Sequence, residues 1–139
     1  MNAQELNIEA SVDKLSQVLQ FVDSYLESVG CPIKVQMHIS LAVEEIFVNI
    51  SSYAYAPGTG KASVCLKTSD DPPAITITFM DHGIPYNPLE KKDPDISLPA
   101  GKRQIGGLGI FLTKKTMDDV SYEYKDGQNI LHLVKYLKS

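Results

Sequence analysis

Hydrophobic residues recur along the chain at two alternating spacings. Some segments place them at every second position, as in a strand with one buried face, and others at every third or fourth position, as in an amphipathic helix. The resulting order is a strand, two helices, two strands, a third helix and two final strands. The first spacing predicts strands over residues 6–10, 62–68, 74–80, 120–125 and 129–137, and the second predicts helices over residues 12–29, 33–55 and 108–117.

Turn-forming residues separate these segments. Ser11 is placed to cap the start of the first helix. The Asp-Pro and Asp-Gly sequences at residues 70–73 and 126–127 predict two hairpin loops. Residues 86–105 hold three prolines, many charges and no clear period, which predicts a long mobile loop, and a loop of this length in a compact domain is usually functional or disordered.

Composition narrows the class of protein. The chain has 139 residues, of which 43% are hydrophobic and 22% charged, so we expect one globular domain over residues 1–139. The net charge of -4 disfavours direct binding of nucleic acid, which requires a basic face. Cys31 and Cys65 lack metal-site spacing, and neither a signal peptide nor a run of roughly 20 apolar residues is present. We therefore expect a cytoplasmic protein with reduced thiols and no membrane contact.

The second predicted helix carries two polar residues beside its apolar face. A helical wheel places Glu45 and Asn49 together, about 40° apart, at the edge of this face, and turns Glu44 toward solvent. An unpaired carboxylate between apolar neighbours is unfavourable. Glu45 therefore either forms a structural pair with a neighbour, as residues four positions apart often do, or lies beside a cavity for water, metal or ligand. The apolar face comprises Ile39, Ala42, Val43, Ile46, Phe47, Ile50 and Tyr53.

An acidic residue stands at the end of the third predicted strand. Asp81 follows the apolar segment 74–80, and Gly83 follows two positions later. Loops at strand ends are common ligand sites because a rigid scaffold holds them. A carboxylate here can accept a hydrogen bond from an exocyclic amine such as that of adenine, and a glycine lets the backbone approach a flat ring. The alternative is a simple turn, since aspartate, glycine and proline favour turns.

A glycine cluster opens the third predicted helix. Gly106, Gly107 and Gly109 leave backbone amides accessible at a helix N-terminus, where the amides and the helix dipole favour phosphate groups. The alternative is a flexible hinge before the helix. The cluster is not a Walker loop, because no Gly-Lys-Ser/Thr follows, and it does not occupy the place of a Rossmann fingerprint after the first strand.

These three segments, in this order, resemble the GHKL ATPase/kinase superfamily, and most closely its branch of small bacterial anti-sigma-factor serine/threonine protein kinases. Residues 41–50 resemble the N box with its Glu-x-x-x-Asn core, residues 81–85 the G1 box Asp-x-Gly-x-Pro, and residues 106–112 the G2 box. The resemblance extends over essentially the whole chain. It implies an α+β fold, a two-layer α/β sandwich of the Bergerat type with helices on one face of a mixed, mostly antiparallel sheet, and the predicted element order agrees with it.

The resemblance implies a role for each matching residue at the base and metal ends of a nucleotide. Glu45 corresponds to the general base that orients or deprotonates a hydroxyl nucleophile. Asn49 corresponds to the residue that coordinates Mg²⁺, a hard ion that prefers oxygen ligands. Asp81 corresponds to the residue that recognises the amino group of adenine in ATP or ADP. Gly83 would line the adenine ring, and Asn129 would support Asp81 through a water molecule.

The resemblance also implies the residues that surround the phosphates. Residues 86–105 correspond to the ATP lid, a segment that closes over the nucleotide and excludes water. Within that segment, Lys102 or Arg103 would neutralise phosphate charge. The backbone contacts to the phosphates would come from Gly107, Leu108 and Gly109.

One position departs from the pattern of the branch. The branch usually has a His-Ala-Tyr motif after the N box, and this chain has Tyr53-Ala54-Tyr55 there. Because Tyr53 falls within the apolar arc of the helical wheel, we expect it to pack in the core.

Two classes of function follow from the resemblance. The first is a Mg-ATP-dependent kinase that phosphorylates a serine on a small antagonist protein and, when free of it, binds a sigma factor. The second is a nucleotide-gated protein-interaction module with little or no transfer activity. The presence of Glu45 favours the kinase, since a pure binding module has less need of a base. A sensor histidine kinase is disfavoured because the chain has no room for a dimerisation helix pair, although part of the first helix remains an option for a homodimer face.

Overall fold

Within the described part of the chain, five strands form one sheet and three helices lie against it. The computed structural model describes residues 3–90 and 108–137. Its elements are β1 (Ala3–Glu9), α1 (Leu15–Ser28), α2 (Ile33–Tyr53), β2 (Lys61–Asp70), β3 (Pro73–Asp81), α3 (Leu108–Thr116), β4 (Asp119–Lys125) and β5 (Gln128–Tyr136), with short 3₁₀ turns at Val12–Lys14 and Pro88–Glu90.

The strand order across the sheet is β1-β2-β3-β5-β4, and each of these four pairings is antiparallel. Alternate residues therefore face the same side of the sheet. On β3, Ile75, Ile77, Phe79 and Asp81 are buried, while the residues between them are partly exposed. Their partners on β5 continue the buried row, since Ile77 pairs with Leu133, Phe79 with Leu131 and Asp81 with Asn129. One face of the sheet is thus the core face.

The helices cover the core face and complete two layers. Helix α1 buries Val18, Val22, Tyr25 and Leu26, and helix α2 buries Val35, Ile39, Ala42, Val43, Ile46 and Phe47. These side chains join the buried strand residues in one hydrophobic cluster, and complete burial of a large apolar side chain contributes about 1.5–3 kcal/mol to stability. The predicted α+β two-layer sandwich is confirmed.

Two local expectations from the sequence are wrong. Ser11 precedes a 3₁₀ turn, not the α-helix itself, and its hydroxyl contacts the Asp13 carboxylate and forms no capping hydrogen bond to the backbone. Tyr53 does not pack in the core, because it is the last residue of α2 and 53% of its surface is exposed. Its ring lies beside that of Tyr86 and is not part of the hydrophobic core cluster.

The hairpins form where turn residues predicted them. The β2–β3 ladder extends to the Asp70–Pro73 pair, and the β4–β5 ladder extends to the Lys125–Gln128 pair. The second turn places Asp126 at φ 54° and Gly127 at φ 77°. Two consecutive positive φ angles are typical of a type I′ turn, and the Asp-Gly sequence favours this turn because glycine and aspartate tolerate such angles.

Both cysteines, Cys31 and Cys65, are free thiols. Burial and the adjacent Glu5 carboxylate raise the pKa of Cys65 to about 11, and burial raises the pKa of Cys31. Both thiols therefore stay protonated at neutral pH. Across residues 3–90 and 108–137, none of the helices combines the length and the apolar character that a membrane crossing requires.

Candidate functional site

A cross-strand pair of polar residues ends the buried row of the sheet. Asp81 on β3 and Asn129 on β5 are register partners, and both are buried, Asp81 to 5% exposure. The amide Nδ2 of Asn129 donates to Oδ1 of Asp81 at 2.9 Å. The sequence predicted this support through a water molecule; the structure makes it direct, because the two residues face each other across adjacent antiparallel strands.

One carboxylate oxygen of Asp81, Oδ1, accepts hydrogen bonds that stabilise the fold. The backbone N–H of Gly83 also donates to Oδ1, at 2.9 Å, which closes a tight turn after β3. Among the described residues, no donor reaches Oδ2 of Asp81. Since Asp81 also lines a cavity, Oδ2 is the acceptor that a ligand can use.

Asn129 connects Asp81 to the segment that follows it. Besides its bond to Asp81, Nδ2 donates to the carbonyl of Ile84 at 2.8 Å. Its Oδ1 accepts from the backbone N–H of Tyr86 at 3.0 Å and from the Tyr122 hydroxyl. One buried side chain thus fixes the acid, the turn after it and the path of the chain as far as Tyr86.

Gly83 packs directly against the C-terminal end of α2. A Cβ atom at this position would overlap the carbonyl oxygen of Ala54, which itself accepts a hydrogen bond from the N–H of Ile84 at 2.9 Å. The glycine is therefore required by the close approach of two backbones. This approach brings the end of the helix onto the turn that holds Asp81.

Replacement of Gly83 by alanine is expected to destabilise the protein. The added methyl group meets main-chain atoms of Ala54 that cannot rotate away, so we expect the free energy of unfolding to fall by about 2–3 kcal/mol. Urea unfolding followed by circular dichroism measures the change. Gly58→Ala is the matched control, because the nearest atom to its Cβ lies at an ordinary 3.4 Å. Equal stability of the two variants would contradict the assigned contact.

A small cavity opens between the end of α2 and the sheet. Its volume is about 40 Å³, and its wall is mainly apolar, with Asp81 and Asn49 as polar exceptions together with Asn129. Two tyrosines lie at its rim: the ring centroids of Tyr53 and Tyr86 are 6.4 Å apart, with the planes tilted by 45°. The remaining lining residues are Ile46, Ile50, Ala54, Phe79, Ile84, Pro88, Tyr122 and Leu131.

Glu45 and Asn49 lie on neighbouring turns of α2 and are joined by a hydrogen bond. Nδ2 of Asn49 donates to Oε2 of Glu45 at 2.9 Å. Both expectations for Glu45 are therefore met at once: it is paired along the helix, and it lines a second cavity, of about 430 Å³, between α2 and α3. Glu44 is exposed, as the wheel predicted.

Gly109 lies in contact with the Glu45 carboxylate. A Cβ atom at Gly109 would overlap Oε1 of Glu45, so a larger residue at this point of α3 would displace the carboxylate. The first turn of α3 is thereby held against the carboxylate and its asparagine partner. The helix also carries a buried Thr113, whose hydroxyl donates to the carbonyl of Gly109 at 2.9 Å.

Tyr86 lies between the part of the site that holds Asp81 and the part that holds Glu45. Burial raises the pKa of the Tyr86 phenol, and the nearby Tyr53 and Glu45 raise it further. The phenol is therefore close enough to the Glu45 carboxylate to experience its charge, while the backbone of Tyr86 is bonded to Asn129. Asn49 lines the cavity with Asp81 and is hydrogen-bonded to Glu45, so Asp81 and Glu45 belong to one continuous site.

The structure brings together most of the residues that the sequence nominated. Asp81, Gly83 and Asn129 meet at one end of α2, and farther back along this helix Glu45 is bonded to Asn49 and contacts Gly109. Leu108 is placed as the first residue of α3. The nominated Lys102, Arg103 and Gly107, with the greater part of the lid, lie outside the described residues. Sequence reasoning missed the rim formed by Tyr53 and Tyr86, although a tyrosine shortly after each of the first two boxes was visible in the chain.

The oxygen atoms present fit a nucleotide with its metal ion. The hydrogen bond from Nδ2 to Glu45 leaves Oδ1 of Asn49 without a donor among the described residues, and an amide oxygen suits Mg²⁺. Magnesium is commonly held by one or two protein oxygens plus phosphates and waters, so a single asparagine is enough. At the other end, Asp81 lines a mainly apolar cavity and its Oδ2 has no donor among the described residues, which suits an amino-bearing heterocycle.

Comparison with solved structures identifies the class of fold. The crystal structure of the RsbU and RsbW domains of Rv1364c from Mycobacterium tuberculosis superposes with a TM-score of 0.71 over 99% of this chain, at 14% sequence identity. This chain spans 33% of that one. At this level of identity the likeness establishes the fold, an α+β sandwich of the GHKL type.

Comparison of sequences identifies the family. The sequence pattern of the histidine kinase-like ATPase domain matches residues 8–135, and this chain belongs to that family. It is 27% identical over 103 residues to the serine/threonine-protein kinase BtrW of Bordetella bronchiseptica, covering 74% of this chain and 72% of the relative. It is 26% identical to the serine-protein kinase RsbW of Staphylococcus epidermidis, covering 96% of this chain and 86% of the relative. The resemblance inferred from the three sequence boxes is confirmed.

Proposed function

We propose that this chain binds ATP or ADP with Mg²⁺ and transfers the γ-phosphoryl group of ATP to a serine of a small partner protein, as an anti-sigma-factor-type kinase over a single domain of residues 1–139. The observation that carries the proposal is the placement of Asp81, Asn49 and Glu45 along one continuous site. Asp81 would contact adenine, Asn49 the metal ion at the phosphates, and Glu45 the attacking hydroxyl group. This order matches the order of adenine, phosphates and reacting phosphorus in ATP.

Asp81 is suited to select adenine. Its Oδ1 is fixed by Asn129 and Gly83, so Oδ2 is held in place to accept from the exocyclic amine of the base. Hydrogen bonds to an ionised acceptor are the stronger kind, and the buried setting increases their contribution. A base that presents an acceptor in place of the amine would leave the buried carboxylate unpaired, which is unfavourable.

Adenine binding requires the Tyr53–Tyr86 rim to open. A cavity of about 40 Å³ has room for little more than one or two water molecules, which is less than a purine ring needs. Tyr53 is exposed and terminal on its helix, and Tyr86 lies in a loop, so both rings can move outward without disturbing the core. The apolar wall behind them then contacts the faces of the base.

Glu45 is suited to act as the base in phosphoryl transfer. The serine oxygen forms a bond to the γ-phosphorus as the bond from that phosphorus to the ADP oxygen breaks, and the serine proton passes to Glu45. When bound, Mg²⁺ neutralises phosphate charge and orients the γ-phosphoryl group. Asn49 fixes Oε2 of Glu45 and presents its own oxygen to the metal side, and Gly109 leaves Oε1 free of steric overlap.

A nucleotide-gated interaction module is the second candidate, favoured by the Tyr53–Tyr86 pair at the rim of the small cavity, because nucleotide entry would then be coupled to movement of Tyr86. Titration of the chain with ATP, ADP and buffer, followed by incubation with γ-³²P-ATP and candidate small antagonist proteins, distinguishes the two. Label on a serine of the partner supports the kinase. Nucleotide binding with partner association but without label supports the module, and indifference to millimolar ATP and ADP contradicts both.

Removal of the Asn49 amide is expected to abolish the magnesium dependence of nucleotide affinity. We expect Mg²⁺ to strengthen ATP binding to the native chain by about tenfold, equivalent to about 1.4 kcal/mol, and to have little effect on Asn49→Ala. Titration of a fluorescent ATP analogue with Mg²⁺ or with EDTA measures the ratio. Asn7→Ala, at an exposed position on β1, is the matched control. An unchanged Mg²⁺ effect in Asn49→Ala would remove this residue from the metal site.

A further inference from the structure

The hydroxyl group of Tyr55, two residues after α2, joins two strands at the point where their ladder ends. The β2–β3 ladder ends at the Ala62–Asp81 pair, so Lys61 and His82 occupy the next positions in register. The Tyr55 hydroxyl donates to the carbonyl of Lys61 at 2.6 Å and accepts from the backbone N–H of His82 at 2.7 Å. A side-chain oxygen therefore lies between two main-chain groups that could otherwise extend the antiparallel ladder by one pair.

The ring of Tyr55 is held by close packing against Gly60, the residue directly before β2. A Cβ atom at Gly60 would lie 2.4 Å from the nearest ring atom of Tyr55. Gly60 does not have a positive φ angle, so its backbone conformation does not itself require glycine. The missing side chain at this position therefore makes room for the ring, and the ring carries the hydroxyl to its two partners.

The backbone N–H groups of the three residues after Asp81 have three separate partners. That of His82 donates to Tyr55, and that of Gly83 donates to Oδ1 of Asp81 at 2.9 Å. The third N–H donates to the carbonyl of the residue before Tyr55, at 2.9 Å. Two of the three partners thus belong to the segment directly after α2. This segment sets the path of the turn that fixes Oδ1 of Asp81 and leaves Oδ2 for a ligand.

The Tyr55 phenol keeps its proton near neutral pH. Burial raises the pKa of Tyr55, the hydrogen bond from the N–H of His82 lowers it, and the charge of Asp81 raises it, so that the pKa is raised overall. The hydroxyl therefore remains a donor to the Lys61 carbonyl while it accepts from His82. The influence of Asp81 also shows that its carboxylate lies near the phenol.

We propose that Tyr55 is a positioning residue for adenine recognition, which acts by holding His82 away from β2 through its hydroxyl group; the inference rests on the proposed nucleotide binding. Without the hydroxyl, the N–H of His82 and the carbonyl of Lys61 both lose their partner and bond to each other, since backbone polar groups are rarely left unpaired. The ladder is then longer by one pair, and His82 is drawn toward β2. This movement shifts the turn, and the N–H of Gly83 no longer fixes Oδ1 of Asp81.

Tyr55→Phe tests this role, because it removes the hydroxyl and keeps the ring against Gly60. The measured quantity is the ratio of the affinities for ATP and for inosine triphosphate, which presents a carbonyl oxygen in place of the exocyclic amine of adenine. Both affinities are obtained by competition with a fluorescent ADP. We expect the preference of the native chain for ATP to fall by about five- to tenfold in the variant, the factor for one lost hydrogen bond.

Two further measurements distinguish positioning from a general effect on the fold. The rate of phosphoryl transfer at saturating ATP should stay within about twofold in Tyr55→Phe, because Glu45 and Asn49 are unchanged. Tyr136→Phe removes a phenol hydroxyl at the opposite end of β5, where the side chain is 47% exposed, and should behave as the native chain. Thermal unfolding followed by circular dichroism establishes that each variant is folded at the temperature of the titrations.

Gly60→Ala tests the same role with the hydroxyl still present. The added methyl group displaces the ring of Tyr55 and takes the hydroxyl away from both partners. We expect the same fall in ATP preference as in Tyr55→Phe, and no further fall in the double variant, since both substitutions remove one interaction. Gly58→Ala is the matched control, because the nearest atom to its Cβ lies at 3.4 Å.

The outcomes separate the role of Tyr55 from the nucleotide site itself. If the native chain prefers ATP and Tyr55→Phe retains the whole preference, the positioning role is wrong and the adenine site stands. Equal weakening of ATP and inosine triphosphate in Tyr55→Phe also overturns the proposal, since it assigns the hydroxyl to the fold alone. If the native chain binds neither nucleotide, or binds both equally, the proposed recognition of adenine fails, and the positioning role fails with it.

Discussion

Asp81→Asn is expected to reduce the affinity for ATP by about 30- to 150-fold, a loss of about 2–3 kcal/mol. Asparagine has the size of aspartate, and its oxygen still accepts from Asn129 and Gly83. Its amide nitrogen, however, takes the place of Oδ2 and presents a donor to the donor amine of adenine. The fold should therefore persist while recognition of the base is lost.

Inosine triphosphate makes this test specific. It lacks the exocyclic amine, so it should bind the native chain weakly and Asp81→Asn no more weakly, and the preference for ATP over inosine triphosphate should disappear in the variant. Thermal unfolding should show that the variant is folded. Asp70→Asn, at the exposed end of β2, is the control and should behave as the native chain. If Asp81→Asn still preferred ATP over inosine triphosphate, this carboxylate would not be the group that recognises adenine.

Glu45→Gln is expected to reduce the rate of phosphoryl transfer to a partner serine by about 10²–10⁴-fold, which is the range for loss of a general base. Glutamine retains the length of the side chain against Gly109 and an oxygen that can accept from Asn49. It has no capacity to take the serine proton near neutral pH. Affinity for ATP should consequently change by no more than about twofold.

Single-turnover transfer of label from γ-³²P-ATP measures this rate apart from nucleotide binding. Glu27→Gln, at an exposed position of α1 outside the site, is the matched control and should transfer at the native rate. A native rate in Glu45→Gln would mean that another group accepts the proton. A parallel fall in ATP affinity and transfer would instead assign Glu45 to binding.

The alternation of hydrophobic residues was enough to predict the order of the elements, because the core face of the sheet and the core face of each helix need that periodicity. The alternation did not predict the start of β1, which begins at Ala3, three residues earlier than the pattern indicated. Ala3, Gln4 and Glu5 are all exposed, so no apolar alternation marks them as a strand. Edge strands of this kind are stabilised by backbone pairing, here with β2, which leaves little trace in the sequence.

The candidate site was predictable in its residue types and only partly in its geometry. The spacing of Glu45 and Asn49 on a helix determines that they are neighbours, and the structure pairs them. The direct contact between Asp81 and Asn129 depends on strand register across 48 positions, which local patterns do not specify. Tyr53 was wrongly expected in the core because a helical wheel gives the direction of a side chain around the helix axis and not which residues cover it; its ring lies beside that of Tyr86.

The hydrogen bonds of Asn129 limit which residues can replace it during evolution. Its amide has committed both of its hydrogens and its oxygen to Asp81, Ile84, Tyr86 and Tyr122. Aspartate offers no hydrogens for these partners, and glutamine carries the same atoms one methylene too far. We therefore expect asparagine at this position in homologues that bind adenine through Asp81. We expect it also in homologues that have lost nucleotide binding but keep the fold, because the same side chain holds the turn after β3.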